Sequence, residues 1–257
     1  MRIAIYSDVH GNLTALQTVL ADIKQQAPDL VAFAGDLCVM GARPRACLEL
    51  ARSETDIFVY GNTDEALHTP PQMPDDVTEE QQQRWQTFLD VLTWTEEKLG
   101  RENVDWLSRL PFSQRISPTA VSTDDLLITH ANPLDVNQMI VPTDKFQQEV
   151  LGEVQWPESE WDVRPLLEST TAGIIAFGHL HVPNVRRWND MILANISSVN
   201  LSSDGDKRAK YGLLTWRKGE GWTVEKRLVA YNMHQEKEVL SFVKPPNWEF
   251  MQKQLSN

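Results

Sequence analysis

Seven residues of metal-binding type follow apolar runs in this chain. They are Asp8 and His10 in SDVHGN, Asp36 in AFAGDL, Asn62 in YGNTD, His130 in LLITHAN, and His179 and His181 in AFGHLH. His179 and His181 stand two apart, so in an extended segment their rings share a face at roughly 6–7 Å. That spacing lets two imidazoles converge on one ion or hold two adjacent ions. Four of the six histidines occupy such positions, where open α/β sheets place their ligands. Two Asp, one Asn and four His exceed the roughly four to six ligands of a single ion that keeps a place for water. They suit two ions about 3.5–4 Å apart, which need a bridging ligand such as a carboxylate. Mixed imidazole and oxygen donors favour manganese, iron, cobalt, nickel or zinc over magnesium or calcium.

The elements that must position these residues follow from the apolar pattern. Residues 2–7, 30–36 and 56–64 read as buried strands. Leu13, Leu16, Val19, Leu20 and Ile23 give 13–26 a helical period, and Pro44 opens a helix over 44–52. Strand–helix–strand–helix–strand predicts a parallel sheet with crossover helices. HTPPQMPDD reads as a loop, and helices are expected at 78–99, with Trp85, Phe88, Leu89 and Leu92 on its apolar face, and at 103–109. The segment near 65–111 is thus a helical insertion. Short strands follow at about 112–117, 125–129, 174–177, 184–188, 191–194, 211–216 and 221–229. TDD (123–125) and WND (188–190) read as hairpin turns. Helices are expected near 144–150 and 160–171, and one or two more in the last thirty residues.

The 257 residues are 41% hydrophobic and 23% charged, as in globular proteins, and are read as one domain, 1–257. No apolar run approaches the ~20 residues of a membrane span, and the N-terminus turns polar too soon for a signal peptide. Only Cys38 and Cys47 are present, so no disulfide framework is expected and the reading is cytoplasmic. A net charge of −12 argues against a broad grip on nucleic acid, so no stable nucleic-acid complex and no membrane association are expected. A phosphate substrate remains compatible, because bound divalent cations invert the local field.

SDVHGN, GDL, GNTD, THAN and GHLH, in that order, resemble the calcineurin-like metallophosphoesterases. AGDLCVMGARPRACLEL, the helical stretch before RLP, and NISSVNLSSDGDKRAKYGLL extend the resemblance to a compact single-domain bacterial and archaeal branch. Each motif alone is weak; five in order are specific. The resemblance implies a four-layer αββα sandwich of two mixed sheets flanked by helices, with two divalent transition-metal ions at the sheet edges. Carried over, Asp8, His10, Asp36 and His181 hold the first ion and Asp36, Asn62, His130 and His179 the second, with Asp36 as the bridge. The implied activity is hydrolysis of a small phosphodiester or phosphomonoester by a metal-bridging hydroxide. Asp36, Asn62 and His130 are the candidate catalytic residues.

The chain departs from the family pattern in one chemically important place. Thr63 stands where many members carry a histidine that protonates the leaving group, a task a threonine hydroxyl cannot perform. Asp64 is read either as support for the site or as a turn residue, and His68 is the first candidate for a replacement acid. Ala131 replaces a usual glycine, and Ile196 a usual proline. Arg43, Lys207 and Arg208 are read as phosphate contacts or solvated charges. No Asp-Arg-Gly follows Asp36, which argues against the serine/threonine phosphatases and diadenosine tetraphosphatases. Loss of the histidine also admits an alternative reading, a catalytically weak or inactive scaffold of the same fold. Retention of all seven ligand types favours the enzyme.

Overall fold

The computed structural model describes residues 1–142 and 163–256. Within them the chain forms two five-stranded sheets and eight α-helices. The first sheet is built from β1 (Arg2–Tyr6), β2 (Leu30–Ala34), β3 (Ile57–Val59), β9 (Ala209–Arg217) and β10 (Gly221–Val229). Its order is β10-β9-β1-β2-β3, with β1, β2 and β3 parallel and β9 and β10 antiparallel at one edge. The second sheet contains β4 (Ser113–Ile116), β5 (Leu126–Thr129), β6 (Ile174–Phe177), β7 (Asn184–Trp188) and β8 (Met191–Asn195), in the order β4-β5-β6-β8-β7. Its three central strands are parallel and both edge strands antiparallel.

The inner strands β1, β2, β5, β6 and β8 read as near-continuous apolar runs because both of their faces are covered. Ile3, Ile5, Ala32 and Ala34 of the first sheet pack against Leu126, Ile128, Ile174 and Ala176 of the second. The alternate residues Ala4, Tyr6 and Phe33 face outward onto α1 (Leu13–Gln26), α2 (Pro44–Glu54), α4 (Glu79–Leu99) and α5 (Arg101–Leu107). On the other side Leu127, Ile175, Phe177 and Leu193 meet α6 (Arg164–Leu167). The period-two alternation therefore creates the four layers. Full burial of each such aliphatic side chain stabilises the fold by about 1.5–3 kcal/mol. The C-terminal segment adds α7 (Met233–Val243) and α8 (Trp248–Gln254).

Local signals set the helix starts. Asn12 caps α1 by accepting from Ala15 N at 3.0 Å, and Thr78 and Gln81 form a reciprocal capping box at α4. Two expectations need correction. The third strand ends at Val59, and α3 (Asn62–His68) begins within GNTD, because the Asp64 carboxylate accepts from Gly61 N at 3.0 Å and holds the turn. TDD is not a tight hairpin: β4 and β5 are joined by residues 117–125, with a 3₁₀ turn at Ser122–Asp124 that Thr119 Oγ1 braces by donating to Asp124 Oδ2. WND does turn β7 into β8. The expected helix near 144–150 lies outside the described residues, and that at 160–171 is described only over α6. Both cysteines are buried and free. No described helix is long and apolar enough to cross a membrane.

Candidate metal centre

All seven candidate ligands lie just past the C-terminal ends of parallel strands: Asp8 and His10 after β1, Asp36 after β2, Asn62 after β3, His130 after β5, and His179 and His181 after β6. The loops that carry them are tied together by backbone bonds. Asp8 N donates to Gly35 O, Val9 N and His10 N donate to Asp36 O, and Gly178 N donates to His130 O. Asp8, His10, Asp36, His179 and His181 all have φ between 45° and 67°. Such left-handed conformations are uncommon for non-glycine residues, and strain of this kind gathers at functional sites. The motif glycines are there for space. A Cβ on Gly61 would run into Asp36 Oδ1, and one on Gly178 into Asp8 Oδ2.

The donor atoms converge in two overlapping groups, Asp8–His10–His181 and Asp8–Asp36–His130, each with its ligand atoms within 4.8 Å of one another. His181 Nε2 is 3.0 Å from Asp8 Oδ1 and 3.3 Å from His10 Nε2. His130 Nε2 is 2.9 Å from Asn62 Oδ1 and 3.2 Å from His179 Nδ1. Asp8 belongs to both groups, and Asp36 Oδ2 of the second lies 3.7 Å from His10 Nε2 and 3.6 Å from His130 Nε2. One carboxylate oxygen thus faces both sets of imidazoles.

Each imidazole is aimed by its outer nitrogen. His10 Nδ1 donates to Val39 O (3.1 Å), His130 Nδ1 to Ala34 O (2.9 Å), His181 Nδ1 to Leu201 O (2.9 Å) and His179 Nε2 to Asn137 O (3.0 Å). A carbonyl only accepts, so these nitrogens carry the hydrogens. In a neutral ring the inner nitrogen is then a lone pair pointing into the site. Lone pairs face one another across little more than 3 Å, beside carboxylates that are essentially fully buried. This arrangement is favourable only around a proton or a cation. A carbonyl on the outer nitrogen is also how ligating histidines are oriented. The residues present therefore fit divalent ions.

The electrostatics agree. Burial, with His181 nearby, lowers His10 to about 3, and burial, with His130 nearby, lowers His179 to about 4, so both rings are neutral at pH 7. Burial and the Asp8 charge push Asp36 up to about 6. For Asp8 burial works against the charge, but the adjacent His181 more than offsets it and holds the carboxyl below its usual range. For His181 burial is likewise overcome, by the Asp8 carboxylate and its hydrogen bond, and its pKa is raised. Among the described residues no lysine or arginine pairs with Asp8 or Asp36. Their partners among the described residues are ligand histidines, which carry positive charge only when protonated.

An outer layer fixes the ligand loops, and sequence reasoning saw little of it. Asp64 is a support and not a surface turn residue: it is buried and accepts from Asp36 N (2.7 Å), Leu37 N (3.0 Å) and Gly61 N (3.0 Å). Ser7 Oγ donates to Asp8 Oδ2 at 2.6 Å. Lys210 is fully buried. Its Nζ donates to Ser202 Oγ, Asp204 Oδ1 (2.9 Å) and backbone carbonyls of the 201–208 loop, whose Leu201 carbonyl aims His181. A lysine inside the apolar run AKYGLL was the one signal for this clamp.

Other candidates fall away from the chemistry. Thr63 is buried, its N–H donating to Asp36 Oδ1 at 2.9 Å. His68 sits at the exposed far end of α3, bonded to Thr69 Oγ1 and six residues beyond Asn62, which puts it on a different helix face. Arg43 is held by Glu236 and Thr14, Lys207 Nζ donates to Ser202 O, and Arg208 is an exposed charge paired with Asp206.

Comparison with known proteins shows the family and the fold. An uncharacterized protein of Methanocaldococcus jannaschii is 26% identical over 203 residues, 79% of this chain and 71% of the relative. The crystal structure of a metallophosphoesterase from Sphaerobacter thermophilus matches with a TM-score of 0.71 at 23% identity, over 100% of this chain and 98% of the other. That of a hypothetical protein from Pyrococcus horikoshii matches at 0.74 and 16% identity, over 99% and 97%. These two likenesses establish the shared fold. The family model for the calcineurin-like phosphoesterase superfamily domain matches residues 1–219. The chain belongs to the calcineurin-like phosphoesterase superfamily.

Proposed function

We propose that this protein hydrolyses a phosphate ester with two divalent transition-metal ions held at the edges of the two sheets. Asp8, His10 and His181 would hold one ion and Asn62, His130 and His179 the other, with Asp36 shared. The observation that carries the reading is the set of inward-facing donor atoms around Asp36 Oδ2, with every imidazole oriented by a backbone carbonyl. When bound, such a pair of ions supplies Lewis acidity toward a phosphoryl oxygen and makes water a nucleophile near neutral pH.

The chain's own residues have distinct tasks. Asp8 and Asp36 supply the negative charge that makes cation binding favourable in a buried site. The neutral histidines add donors without adding charge. The backbone carbonyls of Ala34, Val39, Asn137 and Leu201 keep the ring protons away from the centre. Asn62, at the start of α3, is the one neutral oxygen donor of the set and lies 2.9 Å from His130 Nε2. No histidine stands at position 63 to protonate a departing alkoxide. Esters whose alcohol leaves readily as an anion are therefore the expected good substrates in vitro. The complete ligand set favours catalysis over a scaffold role.

The test is hydrolysis of an activated aryl phosphodiester by the manganese-loaded protein. Turnover above a metal-only control, lost on His130→Ala, is expected. No turnover with manganese, nickel, cobalt or iron would favour the scaffold.

A further inference from the structure

A cavity of about 270 Å³ lies beside the Asn62–His130–His179 flank. Its lining includes Tyr60, Glu65, Phe112, Asp135 and Asn137. Two observations tie it to the metal centre. The Asn137 carbonyl on its wall accepts from His179 Nε2 at 3.0 Å. Glu65 follows Asn62 by three residues on α3, so the two side chains rise from the same helix face with Cβ atoms about 5–6 Å apart.

The cavity has a definite chemical character. The rings of Tyr60 and Phe112, both in the lining, pack against each other with centroids 6.0 Å apart and planes inclined at 59°. Neither a lysine nor an arginine is among the lining residues. Asp135 spends one carboxylate oxygen on its own loop, accepting from Asn137 N and Gln138 N. The Glu65 side chain shares the lining with Tyr60 and makes no hydrogen bond or ion pair among the described residues. Angled aromatic faces with a carboxylate are the surroundings that recognise an ammonium group. A second phosphate or a nucleotide would meet like charge there. The volume lies just below the usual range for drug-sized ligands, which suits a small head group.

We infer that this cavity receives an ester arm of the substrate bearing a small ammonium group, so that the substrate is a phosphate ester of a small amino alcohol, held by Glu65, Tyr60 and Phe112. The inference rests on the phosphoesterase reading above and adds the substrate class to it. Hydrolysis then forms one bond from water oxygen to phosphorus and breaks one from phosphorus to ester oxygen; the water's protons pass to the departing oxygen and to solvent.

Two synthetic esters test this with the manganese-loaded protein. One is para-nitrophenyl phosphorylcholine; the other is its neutral isostere, with a tert-butyl group in place of trimethylammonium. Size and leaving group are matched. The choline ester is expected to show a kcat/KM about tenfold higher, mainly through KM. Glu65→Gln should lower kcat/KM for the choline ester about tenfold more than for the neutral one, and Phe112→Leu should act in the same direction. Equal kcat/KM for the two esters, or an equal loss for both in Glu65→Gln, would overturn the inference. If neither ester is turned over, the phosphoesterase reading fails, and the cavity is decided by binding alone. In that case saturation-transfer NMR should show choline bound more tightly than its carbon isostere and weakened by Glu65→Gln, and equal binding of the two alcohols would refute it.

Discussion

The two sheets bring different chemistry to one centre. The first supplies both carboxylates, the amide and a single imidazole, from Asp8, His10, Asp36 and Asn62; the second supplies imidazoles only, from His130, His179 and His181. All of the negative charge thus comes from one sheet, while the other contributes imidazole donors held by carbonyls. The sheets also anchor their loops differently. On the first, the Asp64 carboxylate clips three backbone N–H groups around Asp36. The loop that aims His181 of the second sheet is instead gathered by an ammonium, that of Lys210, which stands on β9 of the first sheet and holds residues 201–208. The difference teaches that affinity for cations and the direction of the donors are separable properties, and each can be attacked alone.

Asp36→Ala breaks the charged side at its shared point and should have the largest effect. Binding of both ions should weaken, and hydrolysis should fall on the order of 10³-fold or more, the upper range for loss of one charge-stabilising group. Calorimetric metal titration together with the aryl diester assay checks this. Two ions bound with unchanged affinity would show that Asp36 is not shared. His130→Ala removes a neutral donor from the other sheet. It should weaken one ion only, so that the titration resolves about one ion per chain, and activity should fall about 10²-fold.

The outer layer gives a sharper contrast with smaller effects. Lys210→Met should loosen the Leu201 carbonyl and weaken the ion held with His181 by about 10–100-fold, the usual cost of losing an outer partner of a metal ligand. The ion bounded by Asn62, His130 and His179 should be little changed. Asp64→Ala should instead weaken both, because its clip carries Asp36. If the two variants weaken both ions alike, the division of labour between the sheets is wrong. Thr63→His is expected to be smallest. It should raise rates on alkyl esters more than on aryl esters, but by less than the ~10²-fold of a well-placed acid, since position 63 is buried against Asp36. Rates measured against leaving-group pKa would show it as a shallower slope.

Much of this centre was legible in the chain because its residues combine a rare type with a strand end. An aspartate or histidine at the end of AIYSD, AFAGD or IIAFGH has no core function there, so its presence asks for a ligand. The first strands were legible as buried apolar runs, but the pair of sheets came only with the family resemblance; in the structure Ile3 and Ile5 face one layer and Ala4 and Tyr6 another. What escaped notice depends on contacts far apart in sequence. The carbonyls of Ala34, Val39, Asn137 and Leu201 carry no side-chain signature, and whether His179 turns Nδ1 or Nε2 inward is set by Asn137, 42 residues away. Asp64 read ambiguously because its three partners lie on two loops. The short β3 and early start of α3 were missed because YGNTD continues an apolar run, while the helix is set by the Asp64 clip.

The central claim is that two ions share Asp36. Anomalous diffraction from crystals of the manganese-loaded protein tests it most directly. The account predicts two peaks flanking Asp36, one bounded by Asp8, His10 and His181 and the other by Asn62, His130 and His179. A single peak, or two peaks of which only one contacts Asp36, would contradict it.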